Sequence, residues 1–279
     1  MILVDSHVHI YACFDLGDLL ETAFANFKSE ASRFSRSQAF DGVLLLTEAA
    51  GDNWFEYLSN HTREGKTSAR DHSAGWTFHP TMEIQSLLAR GAGRKSLFLV
   101  AGRQIVTAED LEVLALFTDK VFEDGHPLEQ ALEAVTQSGG LPVIPWGFGK
   151  WTGSRGRLLL EKLEDAKNHH LFIGDNGGRA SFLPRPRYFE VAEAKGIRIL
   201  PGSDPLPFAS EYRRTGSFGF RVDGSINSMR PAEDIRRILL DPNTRPRPYG
   251  ALEKPWRFFR NQLAMQIKKR LHRSEVKMS

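Results

Sequence analysis

One cysteine, Cys13, is all that 279 residues contain, and no stretch approaches the roughly 18 consecutive apolar residues of a membrane-spanning helix. A single thiol excludes an internal disulfide framework and suits a reducing compartment, so the expected location is cytoplasmic. Nothing beside Cys13 marks an activated thiol, and it is expected to be a small packed residue. The opening segment MILVDSHVHI has neither a basic n-region nor a long apolar h-region, and it does not read as a signal peptide. An overall basic face is lacking too. The formal net charge is +3, but residues 253–279 carry eight Lys or Arg against two Glu, a net +6, so the other 252 residues sum to −3. A body of that sign is not expected to bind nucleic acid.

What is present alternates short apolar runs with amphipathic stretches, the pattern of βαβ units and a mainly parallel sheet. Strands are expected at Ile2–Asp5, Gly42–Thr47, Leu97–Val106, Glu112–Phe117, Leu141–Pro145, Leu171–Gly174 and Ile197–Gly202. Helices are expected at Pro127–Gln137, Leu158–Asn168, Tyr188–Lys195 and Ala232–Leu240, and a hairpin turns at Thr107–Asp110. Residues 51–96 read as a long insertion after the second strand, with one helix around Met82–Ala89, and a loop of that length suggests a lid or a substrate-contacting element. The expected division is a barrel over 1–250 and a basic helical appendage over 251–279.

The strongest chemical signal is Asp5-Ser-His7-Val-His9 on the apolar opening strand. Side chains alternate along a strand, so His7 and His9 share a face, where two imidazoles can grip one metal ion. Asp5 shares that face and is a candidate brace for a ring nitrogen. The competing reading is two structural histidines.

This opening resembles the amidohydrolase superfamily and, more closely in the order of the later motifs, the polymerase-and-histidinol-phosphatase (PHP) family. DGVLLLTE resembles that family's second strand, AGRQIVTAEDLEVLAL its Gly-x-Glu hairpin, SGGLPVIPWG its Gly-Gly-led strand, and ILPGSDPL its closing Gly-Ser-Asp-x-His. The resemblance runs in order over roughly residues 1–206. It implies an α/β fold of the distorted (β/α)7, TIM-like barrel type, a metal cluster and phosphoester hydrolysis. The departures are Glu48 for the family's aspartate, Ala49 and Leu206 for histidines, Gln104 for the hairpin glutamate, and Trp146-Gly147 in the Ala-His-Pro region. The surviving ligand set is His7, His9 and Asp204, with Glu48 as a fourth ligand and Asp175 in reserve. That set suits one divalent ion (Zn, Mn or Fe) rather than a cluster. Asp204 and Glu48 are the candidate catalytic carboxylates.

Gly-rich loops follow the later strands and carry Lys150, Arg155, Arg157 and Arg179. The Gly153–Gly156 loop would open onto a helix near Leu158, an arrangement suited to an anion. The expected substrate contacts are Lys150, Arg155, Arg179, Asp175 and Gln104, around a small anionic substrate; the alternative is a solvated basic loop. His61, His72 and His79 fall in the insertion, and His169-His170 at the opposite end of the strands. Toward the C-terminus Leu252, Trp256, Phe259, Leu263, Ile267 and Leu271 recur at helical spacing, with Arg260, Lys268, Lys269, Arg270 and Arg273 on the other face. The stripe is expected to pack on the barrel, or else to contact a membrane surface or a partner protein. Functionally, a metal-dependent hydrolase, most readily a phosphoesterase, stands beside two alternatives. One is a non-catalytic PHP-like binding protein, the other a lactonase- or decarboxylase-like amidohydrolase.

Overall fold

The computed structural model describes residues 1–34, 39–64, 75–165 and 170–278. Its strands form two sheets, not a barrel. The first has seven strands in the order β12-β11-β1-β2-β5-β4-β3, the second five in the order β10-β9-β8-β7-β6. In the first sheet, β1 (Ile2–Val8) runs parallel to β2 (Asp41–Leu46), and β2 parallel to β5 (Ser96–Val100). The antiparallel strands β3 (Thr77–Pro80), β4 (Ser86–Arg90), β11 (Gly219–Val222) and β12 (Arg247–Tyr249) complete it. The second sheet holds β6 (Gly102–Val106), β7 (Glu112–Leu116), β8 (Leu141–Pro145), β9 (Phe172–Asn176) and β10 (Ile199–Gly202).

The expected seven-stranded barrel is therefore corrected, and strand pairing gives the reason. β11 takes the free edge of β1 antiparallel, so β1 has ladders on both sides and none is left for β10. The run expected as one strand, Leu97–Val106, breaks at Ala101, with β5 in one sheet and β6 in the other. The hairpin is where it was expected: Thr107 N–H donates to the Leu111 carbonyl at 2.8 Å, and Asp110 takes a left-handed φ of 61°.

The sheets meet along two seams, each with a glycine at its closest approach. At Gly202 a Cβ would lie 2.4 Å from both the Cβ and the backbone N of His7; at Gly102 it would lie 2.3 Å from the Leu46 carbonyl oxygen. Between the seams lies a core drawn from both sheets, including Val4, Val43 and Val100 from one and Leu116, Val143 and Leu200 from the other. Each such fully buried aliphatic side chain contributes about 1.5–3 kcal/mol of transfer free energy. Helix α6 (Pro231–Leu240) closes this core with Ile235 and Leu239.

Outside the first sheet lies α1 (Leu16–Phe34), which no expectation covered. Leu16, Leu19, Leu20, Ala23 and Phe27 give it one buried stripe, and Asp15 caps it by accepting the Asp18 N–H at 2.8 Å. Helices α3 (Leu128–Gln137), α4 (Gly153–Asp165) and α5 (Arg187–Ala194) cover the second sheet. The long loop expected over 51–96, with its helix around Met82–Ala89, is also corrected among the described residues. It contains α2 (Trp54–Arg63) and the β3–β4 pair, which extends the first sheet and buries Trp76, Phe78 and Leu87; Met82–Ala89 is turn and strand rather than helix. Cys13, expected to be packed, is exposed. Among the described residues no helix is long and apolar enough to cross a membrane.

Candidate metal centre

His7 lies at the end of β1 and His9 just beyond it, on the side facing β10, and both rings are buried. Their Nε2 atoms lie 3.1 Å apart. Asp204 Oδ1 stands 3.5 Å from Nε2 of His7 and 3.6 Å from Nε2 of His9. The backbone puts Asp204 there: its N–H donates to the His7 carbonyl at 2.9 Å, and its φ of 46° lies in the left-handed region, which Asp tolerates better than most residues. Pro201 accepts a bond from Ser6 Oγ at 2.8 Å, fastening the same seam one residue further back.

Hydrogen bonding leaves this triangle unsatisfied. Of two Nε2 atoms facing each other, only one can donate, and the carboxylate oxygen is beyond ordinary hydrogen-bond reach of either. His9 Nδ1 is buried with no partner among the described residues. Three lone-pair donors around one cation resolve the conflict. Ligand bonds of about 2.1 Å at tetrahedral to octahedral angles place donor atoms about 3.0–3.4 Å apart, close to the spacing seen here. The donor set fits a single divalent ion.

Electrostatics agree with that fit. Burial, and then the nearby His7, push the His9 ring down to about 3, so its lone pair is free at neutral pH. Burial raises the Asp204 carboxyl, but His7, His9, Asn176 and Arg214 outweigh it and hold the group below the usual carboxylate range. Asn176 donates from Nδ2 to Asp204 Oδ2 while its own Oδ1 accepts the Gly178 N–H at 2.6 Å. One Asp204 oxygen is thereby fixed, and the other faces the rings.

Two residues here escaped the sequence reading. Asn176 stands in DNGGR, next to the Asp175 that drew attention. Tyr11 continues the alternation of His7 and His9 and stacks on the His9 ring at 5.2 Å; burial and then the Asp204 carboxylate raise its phenol well above the ordinary value. Gln104, on β6, reaches His9 with its side chain as well.

The other expected site residues are engaged elsewhere. Glu48 does not join the cluster. Its Oε1 accepts the Phe55 N–H at 2.8 Å, capping α2 in place of Asn53, and its Oε2 lies 3.2 Å from Arg103. Burial pushes its carboxyl up to about 7. Asp5 braces no ring nitrogen; it accepts backbone N–H groups from Ser203 and Gly216, each at 2.8 Å, and from His7 at 3.3 Å. Asp175 and Arg179 form a two-pronged pair, both bonds 2.9 Å. Arg155 sits in the first turn of α4, which begins at Gly153 rather than Leu158, and binds Asp110 at 2.7 Å. Lys150 holds Glu112 at 2.6 Å. His61 is on α2 and His79 on β3, both away from the cluster, and His170 is exposed; His72 and His169 lie outside the described residues.

Asp204 opens onto a cleft of about 610 Å³, with His7 and His9 buried behind it. Lys150 and Glu112 stand on one wall, and Asn176 beside the carboxylate. The opposite wall comes from α7 (Pro255–Met278), through Phe258, Phe259 and Leu263. The C-terminal segment is thus part of the cleft. It is anchored by Glu253, whose N–H donates to the Arg179 carbonyl at 2.9 Å and whose carboxylate takes Arg214.

No protein-family model and no curated protein matches the sequence. Among solved structures, the crystal structure of PsfC from Pseudomonas syringae PB-5123 is similar over 90% of this chain and 91% of that one, with 16% identity and a TM-score of 0.50. At that identity the likeness concerns the fold alone.

Proposed function

We propose that this protein is a cytoplasmic metal-dependent hydrolase of an anionic substrate, most simply a phosphoester, with one divalent ion held by His7, His9 and Asp204. The observation that carries this reading is the triangle of three donors at 3.1, 3.5 and 3.6 Å, two of them on buried rings and the third, Asp204, lining an open cleft. The order of motifs that resembles the PHP family supports the same chemistry. A divalent ion bound there supplies Lewis acidity, lowering the pKa of water toward neutrality and polarising a substrate oxygen. The chain's own groups do the rest. His9 offers an uncharged ring, and Asn176 turns Asp204 so that one oxygen stays toward the rings. That carboxylate is ionised and placed to accept a proton from an attacking water. Lys150 lines the cleft, as does Arg214, which Glu253 holds, and Lys150 meets the substrate's negative charge by exchanging its hold on Glu112.

A second reading, a non-catalytic binding protein, draws on one observation. Arg155, Arg179 and Lys150 are each paired with a carboxylate, so a substrate anion would have to displace one. Metal content tests both readings. After incubation with Zn²⁺ or Mn²⁺, the protein should retain about one ion per chain, and the His7→Ala/His9→Ala double variant none. The loaded protein should hydrolyse an aryl phosphate, and Asp204→Asn should stay folded while its rate falls by orders of magnitude. A wild-type protein that remains metal-free overturns the hydrolase. Retained metal without turnover selects the binding protein.

A further inference from the structure

The apolar stripe on α7 does not face the protein. Trp256, Phe259, Leu263 and Ile267, spaced for one face at about 3.6 residues per turn, are each more than half exposed. The face turned inward carries Phe258 and Asn261, both buried. Two further aromatics extend the patch: Phe182 stacks on Phe259 at 5.7 Å, and Phe148 meets Phe258 edge-on at 5.0 Å. Both are themselves at least half exposed. Six of the twelve exposed large apolar side chains among the described residues thus lie together. Scattered apolar residues need no explanation, but a contiguous patch of this size marks a contact surface.

Charge identifies what covers it. Arg260, Lys268 and Arg270 on the same helix and Lys254 just before it are exposed, and the Arg260 guanidinium lies over the Trp256 ring at 5.4 Å. Residues 253–279 sum to +6 against −3 for the rest of the chain. A second copy brought to this face would set two strongly basic helices against each other. An anionic lipid surface instead accepts the aromatic and aliphatic side chains into the headgroup boundary and neutralises the flanking cations. We propose that this face of α7, with Phe148 and Phe182 beside it, docks on an anionic membrane surface. The same residues, Phe259 and Leu263, line the cleft, so docking sets the cleft rim against the bilayer. The inference does not depend on the metal reading.

Co-sedimentation of the full chain with vesicles tests it. Vesicles containing phosphatidylglycerol should bind the protein, phosphatidylcholine vesicles should bind it at least about tenfold more weakly, and high salt should reduce the binding. Leu263→Ser/Ile267→Ser alters only exposed positions and should lower phosphatidylglycerol binding by about tenfold or more. Lys268→Glu/Arg270→Glu should act in the same direction. Circular dichroism and light scattering on each variant report fold and mass. Wild-type protein that binds neither vesicle overturns the proposal, as does binding that both double variants leave unchanged. A dimer that Leu263→Ser/Ile267→Ser dissociates would assign the face to a second copy and overturn it as well.

Discussion

Around β10 a carboxylate is left facing two imidazoles, whereas around β8 and β9 the three cations expected to contact a substrate are each met by a carboxylate. His7, His9 and Asp204 converge with their hydrogen bonding incomplete. Lys150, Arg155 and Arg179 have Glu112, Asp110 and Asp175 within 2.6–2.9 Å. The first group is arranged by backbone: strand alternation, the close approach at Gly202, and the left-handed turn at Asp204. The second is arranged by side-chain partners. Groups held together without satisfying one another point to a missing ligand, and cations satisfied away from the cleft, as Arg155 and Arg179 are, point to architecture.

The contrast is broken most severely at the seam. Gly202→Ala would press a methyl group into the His7 backbone, which cannot yield as a flexible side-chain end could. We expect a loss upward of about 4 kcal/mol in urea unfolding, at the exceptional end for one substitution, together with loss of metal retention. If metal is retained at wild-type stability, the seam does not set the site. Next is Arg179→Ala. If Arg179 is architectural, removing it leaves the partly buried Asp175 carboxylate unpaired and costs about 1–3 kcal/mol, while any thermal stabilisation by inorganic phosphate is unchanged. Loss of the phosphate effect at unchanged stability would return Arg179 to the substrate site. Asn176→Ala sharpens the comparison from the other side. It leaves the three donors in place and frees the Asp204 carboxylate to rotate, so metal affinity measured by competition with a chelator should fall about ten- to hundredfold.

The smallest effect belongs to Glu48. Its folded-state pKa is raised from 4.5 to about 7, so the folded chain keeps a proton that the unfolded chain has released. The stability this contributes is fully present below pH 4.5 and is lost as pH rises through about 7. Glu48→Gln mimics the protonated form and should flatten that part of the stability–pH curve. Asp5, also raised by burial, to about 6, keeps its own slope in both proteins, so the difference curve isolates Glu48. An unchanged slope would show Glu48 ionised throughout and would reopen its assignment to the metal.

The legible parts of this molecule were those that the backbone dictates locally. Alternation along β1 gave the shared face of His7 and His9, and the apolar run before Gly202-Ser-Asp204 gave the strand end that delivers the third donor. The turn at Thr107–Asp110 was likewise local. The architecture was not, because it depends on which edge meets which: β11, a short strand more than 200 residues away in sequence, takes the edge of β1 that a barrel would have needed. Partner choice was hidden for the same reason, since nothing near Arg155 in sequence names Asp110. In α7 the apolar residues occupy opposite faces, Phe258 inward and Phe259 outward, and periodicity alone could not say which face would be buried.

The seam at Gly202 also bears on how the chain reaches its native state. Ser6 and Pro201 are 195 residues apart, and the donors on either side of that bond are separated by a similar length of chain. Contacts of such range form late, because closing a long loop costs entropy before any contact repays it. The histidine pair is set by neighbouring residues of one segment, whereas its carboxylate arrives from 195 or more residues away. Three-donor coordination becomes available only once β10 has settled against β1. On the metal reading proposed above, uptake of an ion would report that β10 has docked, and a chain in which it has not would carry the histidines without the site.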